Sequence, residues 1–488
     1  MSTFPSASSV NASDLSPAYL NKGDQAWQLT AATLVGLQTV PGLICLYAGL
    51  VRRKWAVNSM FMVLYGFAMT LVCWMVWVYN MAFGEQWIPL AGVPGPILST
   101  GDLLQQAYLP AANITPNFNM ATMVWFQAVF AAITIALIGG ALLGRMNFTA
   151  WVIFVPLYLT LSYSVGAFSI WAGGFLYQLG VIDYSGGYVI HVSSGTAGFV
   201  AAAIVGPRME IDRLRDAPHS VISLMLGAGL LWMGWTGFNG GDPYAASPDA
   251  GVAVINTHLC TAVSLLTWTL LDYLRTGKPS IIGSVQGMIT GLVAITPAAG
   301  VVAGWGAIII GVCSGSIPWA TLTLSRKIRI FRHVDDVADV FHTHMITGLL
   351  GGFLTGLFAT VDGTEAFGLT SGGGAIDDNG RQVWVQIVGG LFIVGWNAAW
   401  TAIILFGIKY VLRIPLRMSD AQLRAGDDAV HGESAYVMEE LLGHDWEKEH
   451  DADLEAAKAE KSRGVTTTVV EATEDKASDS SPPRTMDV

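Results

Sequence analysis

Charged side chains are scarce in this chain. Asp, Glu, Lys and Arg make up 12% of its 488 residues, about half the roughly 25% of an ordinary water-soluble domain. That shortage excludes a soluble globular protein of this length. Cysteine is scarce too. Cys45, Cys73, Cys260 and Cys313 all fall inside apolar runs. None forms a CxxC or a metal-like spacing, which argues against a thiolate metal site, and the four read as small core residues. The first residues, MSTFPSASSVNASDLSPAYLNKGD, lack an apolar stretch, so no cleavable signal peptide is expected. The net charge of −11 gathers in the tail and loops, and nothing in it suggests nucleic acid.

What is abundant is apolar sequence. Hydrophobic residues make up 52%, with 55 glycines and 17 tryptophans. Apolar runs fall roughly at 27–50, 57–82, 121–144, 149–171, 187–206, 219–238, 252–273, 280–298, 301–324, 338–360 and 384–411. Each is close to the about 20 residues that span a bilayer. The fold class is therefore an all-α polytopic membrane protein with eleven transmembrane helices. The division between the eighth and ninth rests only on ITPAAG. Glycine is a poor helix former in water, but in a membrane small residues let helices pack closely.

Lys and Arg set the orientation. The loops after odd-numbered runs hold Arg52, Arg53, Lys54, Arg145, Arg208, Arg213, Arg215, Arg275, Lys278, Arg326, Lys327, Arg329 and Arg332, and those after even-numbered runs hold Arg381. The odd loops are then cytoplasmic, the N-terminus lies outside and the C-terminal tail inside. The sequons at Asn11 and Asn113 fall on the outer side, and Asn11 is a candidate for glycosylation in a eukaryote. The one at Asn147 falls inside and is expected to stay bare.

Ionisable residues inside the runs are functional candidates by default, because charge is costly in hydrocarbon. They are few: Asp183, His191, His258, Asp272, His342 and His344, the last two preceded by Asp335, Asp336 and Asp339. DYSGGYVIH (183–191) and DVFHTH (339–344) share an order: an Asp, a helix start, then a His. They lie five runs apart and so enter from opposite sides, as in an inverted-topology repeat. One imidazole from each half would meet near the membrane centre and share a proton, since burial disfavours charging both. For His258 and His342 the helix-packing reading is preferred. Aromatics add a second pattern. Phe126 and Phe130 sit one turn apart in FQAVF. Trp171 ends the fourth run, and Trp235, Phe238 and Asp242 close the sixth in GWTGFNGGD. Any one of these is an ordinary interfacial aromatic. Together they suit a cage for a small cation, with Asp242 adding negative charge.

The stretches PGLICLYAGLVRRK with NSM following, MVWFQAVFAAITIALIGGAL, DYSGGYVIHVSSG, GWTGFNGGD, DVFHTH and LRAGDDAVHGESAY, in this order, resemble the Amt/Mep/Rh ammonium transporters, and within them the fungal high-affinity methylammonium permeases. The resemblance covers about residues 25 to 440. It implies an inverted repeat of five spans plus five with a final eleventh, a homotrimer with one pore per subunit, and selective uptake of ammonium and methylammonium across the plasma membrane. By position it implies that Phe126, Trp171 and Asp242 recruit the cation, Phe130 and Phe238 form a phenyl gate, and His191 and His344 are the twin pore histidines. Asp183 shapes the site and Trp235 lines the pore. Position relative to Asp339 selects His344 over His342. Histidine at both pore positions resembles the permease that also signals nitrogen status. The protein is not expected to be an enzyme and no cofactor is implied.

These readings divide the chain into an outer segment (1–25), a transporter domain (26–411), a regulatory region (412–445) and an acidic tail (446–488) expected to be disordered. In that tail Ser462, Ser478, Ser480 and Ser481 are candidate sites for a kinase. Three alternatives stand beside transport: a membrane redox protein with a bis-His haem, an ammonium receptor with little transport, and a neutral-gas channel.

Overall fold

The structure, a computed structural model, describes residues 16–110, 114–214, 217–325, 327–328, 331, 333–436 and 455. Asn11, Asn113, Ser462, Ser478, Ser480 and Ser481 lie outside the described residues. Eleven helices follow the eleven apolar runs: α1 (Lys22–Leu50), α2 (Arg53–Phe83), α3 (Met120–Gly140), α4 (Phe148–Leu179), α5 (Gly187–Val205), α6 (Val221–Gly240), α7 (Pro248–Thr276), α8 (Ile281–Ile295), α9 (Gly304–Ser325), α10 (341–358) and α11 (Arg381–Val411). Among the described residues, nine are long and apolar enough to cross a bilayer; α8 and α10 are the shorter two. The break at ITPAAG is wider than the sequence suggests, because α8 ends at Ile295 and α9 begins only at Gly304. A small hairpin, β1 (Gln86–Ile88) with β2 (Ala91–Gly92), decorates the outer loop after α2.

Short polar residues start the helices where the sequence supplies them. Asn119 accepts from Thr122 N at α3, Ser220 from Ser223 N at α6, Ser247 from Ala250 N at α7 and Ser280 from Gly283 N at α8. Each side chain satisfies an N–H that no helical carbonyl can reach. Asn147 does the same for α4, accepting from Thr149 and Ala150.

The inverted repeat is visible in the backbone. His191 and His344 are 153 residues apart, and the same displacement relates their surroundings. Both sit in π-helical turns, Gly187–Val192 and Phe341–Ile346. Gly186 takes a positive φ of 103°, and Asp339 takes one of 53°. Asp183 Oδ2 accepts the N–H of Tyr188 at 3.0 Å, and Asp336 Oδ2 accepts that of Phe341 at 2.8 Å. The partner of Asp183 is therefore Asp336, which corrects the sequence-based pairing with Asp339. Asp339 holds the left-handed position that Gly186 holds in the other half. The two turns cross where small residues permit it. A Cβ on Gly195 would stand 2.8 Å from Val340 O, and one on Gly348 would stand 2.6 Å from Gly187 O.

At the basic face, Asp335 ties the inner ends of three helices together. Arg208 reaches it with Nε at 3.0 Å, Nη2 at 2.8 Å and its backbone N at 2.7 Å. Buried Arg145 donates to the carbonyls of Gly206 and Asp335. Burial pushes the Asp335 carboxyl up, but the Arg208 hydrogen bond and charge, with Arg145 behind, hold it well below its ordinary 3.8. A depressed folded value means that this stabilisation is complete above roughly pH 4 and is lost only as pH falls toward the folded value. Removing one partner strands the other charge, so Asp335→Ala is expected to cost about 3–5 kcal/mol. The check is thermal unfolding in detergent at neutral pH.

The segment after α11 folds back under this face. Met418 N donates to Arg145 O and Asn147 N to Leu416 O, both at 2.9 Å. A capping box at Ser419 and Gln422 starts the short helix Asp420–Ala425. Asp427 then accepts the N–H groups of Val57 at 2.7 Å and Asn58 at 2.9 Å. It thereby caps the first α-helical turn of α2, where Trp55 at the N-cap position makes no side-chain capping bond among the described residues. Asn58 Nδ2 donates to His431 Nε2 at 3.0 Å, and His219 Nε2 pairs with the Tyr436 hydroxyl at 2.8 Å. Asp427→Ala is expected to free this segment, raising its rate of limited proteolysis well above wild type, with Asp427→Asn in between.

Candidate functional site

Six of the nine site residues expected from the sequence, His191, His344, Phe130, Phe238, Trp235 and Phe126, form one column through the molecule. At its outer end Phe126 meets Phe130 with centroids 4.7 Å apart, tilted by 51°. Phe130 meets Phe238 at 4.4 Å and 33°. These two rings are 0% exposed, so they seal the path. Directly below, Phe238 and Trp235 both stack on His191, at 5.9 Å and 5.5 Å, with planes within 18°. Trp235 is held in place by its Nε1–H, which donates to Thr296 Oγ1 at 3.0 Å.

The two imidazoles meet through Nδ1, at 3.2 Å. One of these nitrogens must donate and the other accept. Two neutral rings joined this way take opposite tautomers, so one Nε2 is a bare acceptor and the other carries hydrogen. His191 Nε2 has no hydrogen-bond partner among the described residues. The pair can thus take a proton at one end and release one at the other.

Beyond His344 and Trp235, toward the basic face, lies a narrow cavity of about 50 Å³. A water needs roughly 10–15 Å³ by this measure, so the cavity holds a short file of molecules of that size. Its walls are largely apolar, with Leu43, Leu46, Leu137 and Leu231 prominent, and its polar groups are Tyr47, Gln286, Thr343, His344 and the Trp235 indole. Among the described residues, no Asp, Glu, Lys or Arg lines it. A dehydrated cation would find little to replace its water.

Trp171 stands at the outer end, edge-on to Phe130 at 6.4 Å and 80°. Its Nε1–H donates to Asp183 O at 2.8 Å. Asp183 is itself buried, and its Oδ2 also accepts Val189 N at 3.0 Å. One residue therefore starts α5, orients Trp171 and fixes the turn that carries His191. Asp242 is 2% exposed, deeper than an open acidic vestibule requires. It lies beside the Ser185 and Tyr244 hydroxyls and near Asp183, while Oδ2 has no partner among the described residues.

His258 and His342 stand apart from the column. Trp232 Nε1–H donates to His258 Nδ1 at 3.1 Å, and His258 Nε2 meets Thr236 Oγ1 at 3.0 Å. His342 Nδ1 meets Thr321 Oγ1 at 3.1 Å. Both make hydrogen bonds between packed helices. Sequence reasoning missed Thr296, Gln127 and Tyr244. Gln127, a lone amide inside FQAVF, was the available signal.

A sealed aromatic column above a buried imidazole pair and an uncharged inner cavity narrows the comparison with known proteins. The profile of the family described as Ammonium Transporter Family matches residues 26–436. The chain belongs to this family. Ammonium transporter 3 member 2 of Oryza sativa subsp. japonica is 56% identical over 443 residues, spanning 86% of this chain and 91% of that one. Ammonium transporter 2 of Arabidopsis thaliana is 56% identical over 427 residues, spanning 86% and 90%. Among solved structures, that of Mep2 from Saccharomyces cerevisiae superposes with a TM-score of 0.72 at 30% identity, spanning 83% of this chain and 89% of that one. In this ammonium transporter the matched region begins four residues after the start of α1 and ends at Tyr436, so it takes in the segment folded under the basic face as well as all of α2 to α11 and most of α1.

Proposed function

We propose that the chain is an ammonium transporter that recruits the cation at its outer aromatic end, removes a proton near the phenyl gate and passes ammonia through the apolar cavity. The observation that carries this reading is the Nδ1–Nδ1 contact of His191 and His344 at 3.2 Å, placed immediately below the closed Phe130–Phe238 pair. Ammonium can become a small neutral molecule, and potassium cannot. A narrow apolar path therefore selects between them, provided the proton has a route of its own. With His191 Nδ1–H donating to His344 Nδ1, a proton arriving at His191 Nε2 releases another from His344 Nε2 toward the cavity. Net transport is then electrogenic.

In this reading Phe126, Trp171 and Asp242 gather the cation by ring faces and a carboxylate, Phe130 and Phe238 strip its water, and Asp183 and Trp235 hold the pore in shape. Methylammonium is a second, larger substrate. The protein works in the plasma membrane as a homotrimer. The apolar outer faces of α6, α7 and α9, with Ile222, Leu226, Ile255, Leu266, Ile308 and Val312 exposed, suit lipid and neighbouring copies alike. Within the family, the 56% identity to the plant transporters, against 30% to the yeast permease, favours a branch shared with the plant proteins over the fungal branch of the sequence reading. Residues 26–411 act as the transporter unit and 412–445 as a regulatory region. Residues 446–488, with Ser462, Ser478, Ser480 and Ser481, are a kinase target, and Asn11 is a glycan site. Signalling of nitrogen status is an added role.

The test is ammonium uptake into proteoliposomes of purified protein under an inward gradient. Saturable uptake absent from protein-free vesicles is expected. An alkaline shift inside without charge movement would favour the neutral-gas reading, and no uptake, in both full-length and tail-truncated protein, would favour the receptor.

A further inference from the structure

Tyr244 has one of four non-glycine residues' positive φ values among the described residues, at 54°. It sits in the outer loop between α6 and α7, in a conformation that Gly or Asn adopts easily and a bulky aromatic does not. Its side chain is nonetheless buried, with the residue 7% exposed. The contacts that offset the strain all point to the outer end of the pore. The ring stands edge-on to Phe126, 6.1 Å away at 82°. The hydroxyl accepts Gln127 Nε2–H at 3.0 Å. A phenol that accepts one bond keeps its own hydrogen to donate, and the Asp242 carboxylate lies beside it. Gln127 Oε1 and Asp242 Oδ2, on the two residues beside this hydroxyl, are buried acceptors with no partner among the described residues.

We propose that Tyr244 is a specificity-determining residue: its ring walls the outer cation site against Phe126 and makes the site favour ammonium over the larger methylammonium. The unpartnered acceptors sharpen the choice. Ammonium offers four N–H donors and methylammonium three, and a site that expects a donor rejects a ligand that presents a methyl there. Without the ring, the wall opens and the acceptors are free to turn toward solvent.

This inference rests on the proposed transport function, and the experiment separates the two. Ammonium and methylammonium currents are measured for wild type, Tyr244→Gly, Tyr244→Asn and Tyr244→Phe in proteoliposomes. Gly and Asn both accept the backbone conformation, so if one variant folds poorly the other carries the test. The readout is the ratio of the two KM values, which is independent of how much protein is inserted. In both ringless variants the preference for ammonium is expected to fall roughly tenfold, the scale of one methyl group in a fitted pocket. Tyr244→Phe, which keeps the ring, is expected to keep most of it. An unchanged ratio in the ringless variants, with ammonium current intact, would overturn the role of Tyr244. Absence of ammonium current in wild type would instead overturn the transport reading.

Discussion

Replacing both His191 and His344 by alanine is expected to abolish the ammonium-evoked current or to open the pore to potassium. The first outcome follows from loss of the proton route. Positioned proton transfer contributes roughly 10²–10⁴ in rate, so the current should fall by about 100-fold or more. The second follows from volume. The His191 ring fills the space beneath Phe238 and Trp235, and deleting it along with its partner leaves room for water to accompany a cation. Single substitutions should be milder, because one remaining imidazole and a water can bridge the gap. The measurement is current in proteoliposomes under ammonium and then potassium. A selective, undiminished ammonium current in the double variant would end the case for a proton relay.

Asp183→Ala should be the most damaging single substitution at the outer end. Its Oδ2 accepts the N–H groups of Tyr188 and Val189, and its carbonyl holds the Trp171 indole. Alanine strands two buried donors at about 1–3 kcal/mol each, so the loss is roughly 2–6 kcal/mol, before the turn carrying His191 shifts. Asp183→Asn keeps an acceptor oxygen and should fold nearly as well as wild type. The pair of variants therefore separates capping from charge. Thermal unfolding should fall sharply for Ala and little for Asn, while uptake should fall for both. Wild-type uptake by the Asn variant would confine Asp183 to capping the helix.

The histidines were legible because ionisable groups inside apolar runs are rare and stand out. The aromatic column was legible only in part: the one-turn spacing of Phe126 and Phe130 follows from helix geometry, but their stacking with Phe238 and His191 depends on how α3, α5 and α6 pack. The stretch 335–339 shows why order in sequence is not enough. It offers three carboxylates with three different jobs. Asp335 pairs with Arg208, Asp336 caps the turn before His344, and Asp339 supplies a left-handed backbone. Only the hydrogen bonds tell them apart, which is why the pairing with Asp183 was misassigned. Tyr244 was invisible for a similar reason. In a loop of small and polar residues its burial and its strained φ are set by Phe126 and Gln127 from another helix. Asp427 likewise reads as one acid among several until it is seen to cap α2.

The central claim, that a closed aromatic gate above an imidazole pair passes ammonium by separating it from its proton, is tested most directly by wild-type currents in proteoliposomes on a step of ammonium and then of potassium. The account predicts a saturable ammonium current and none for potassium. Comparable currents for both cations would mean that the charged species passes whole, and would contradict it.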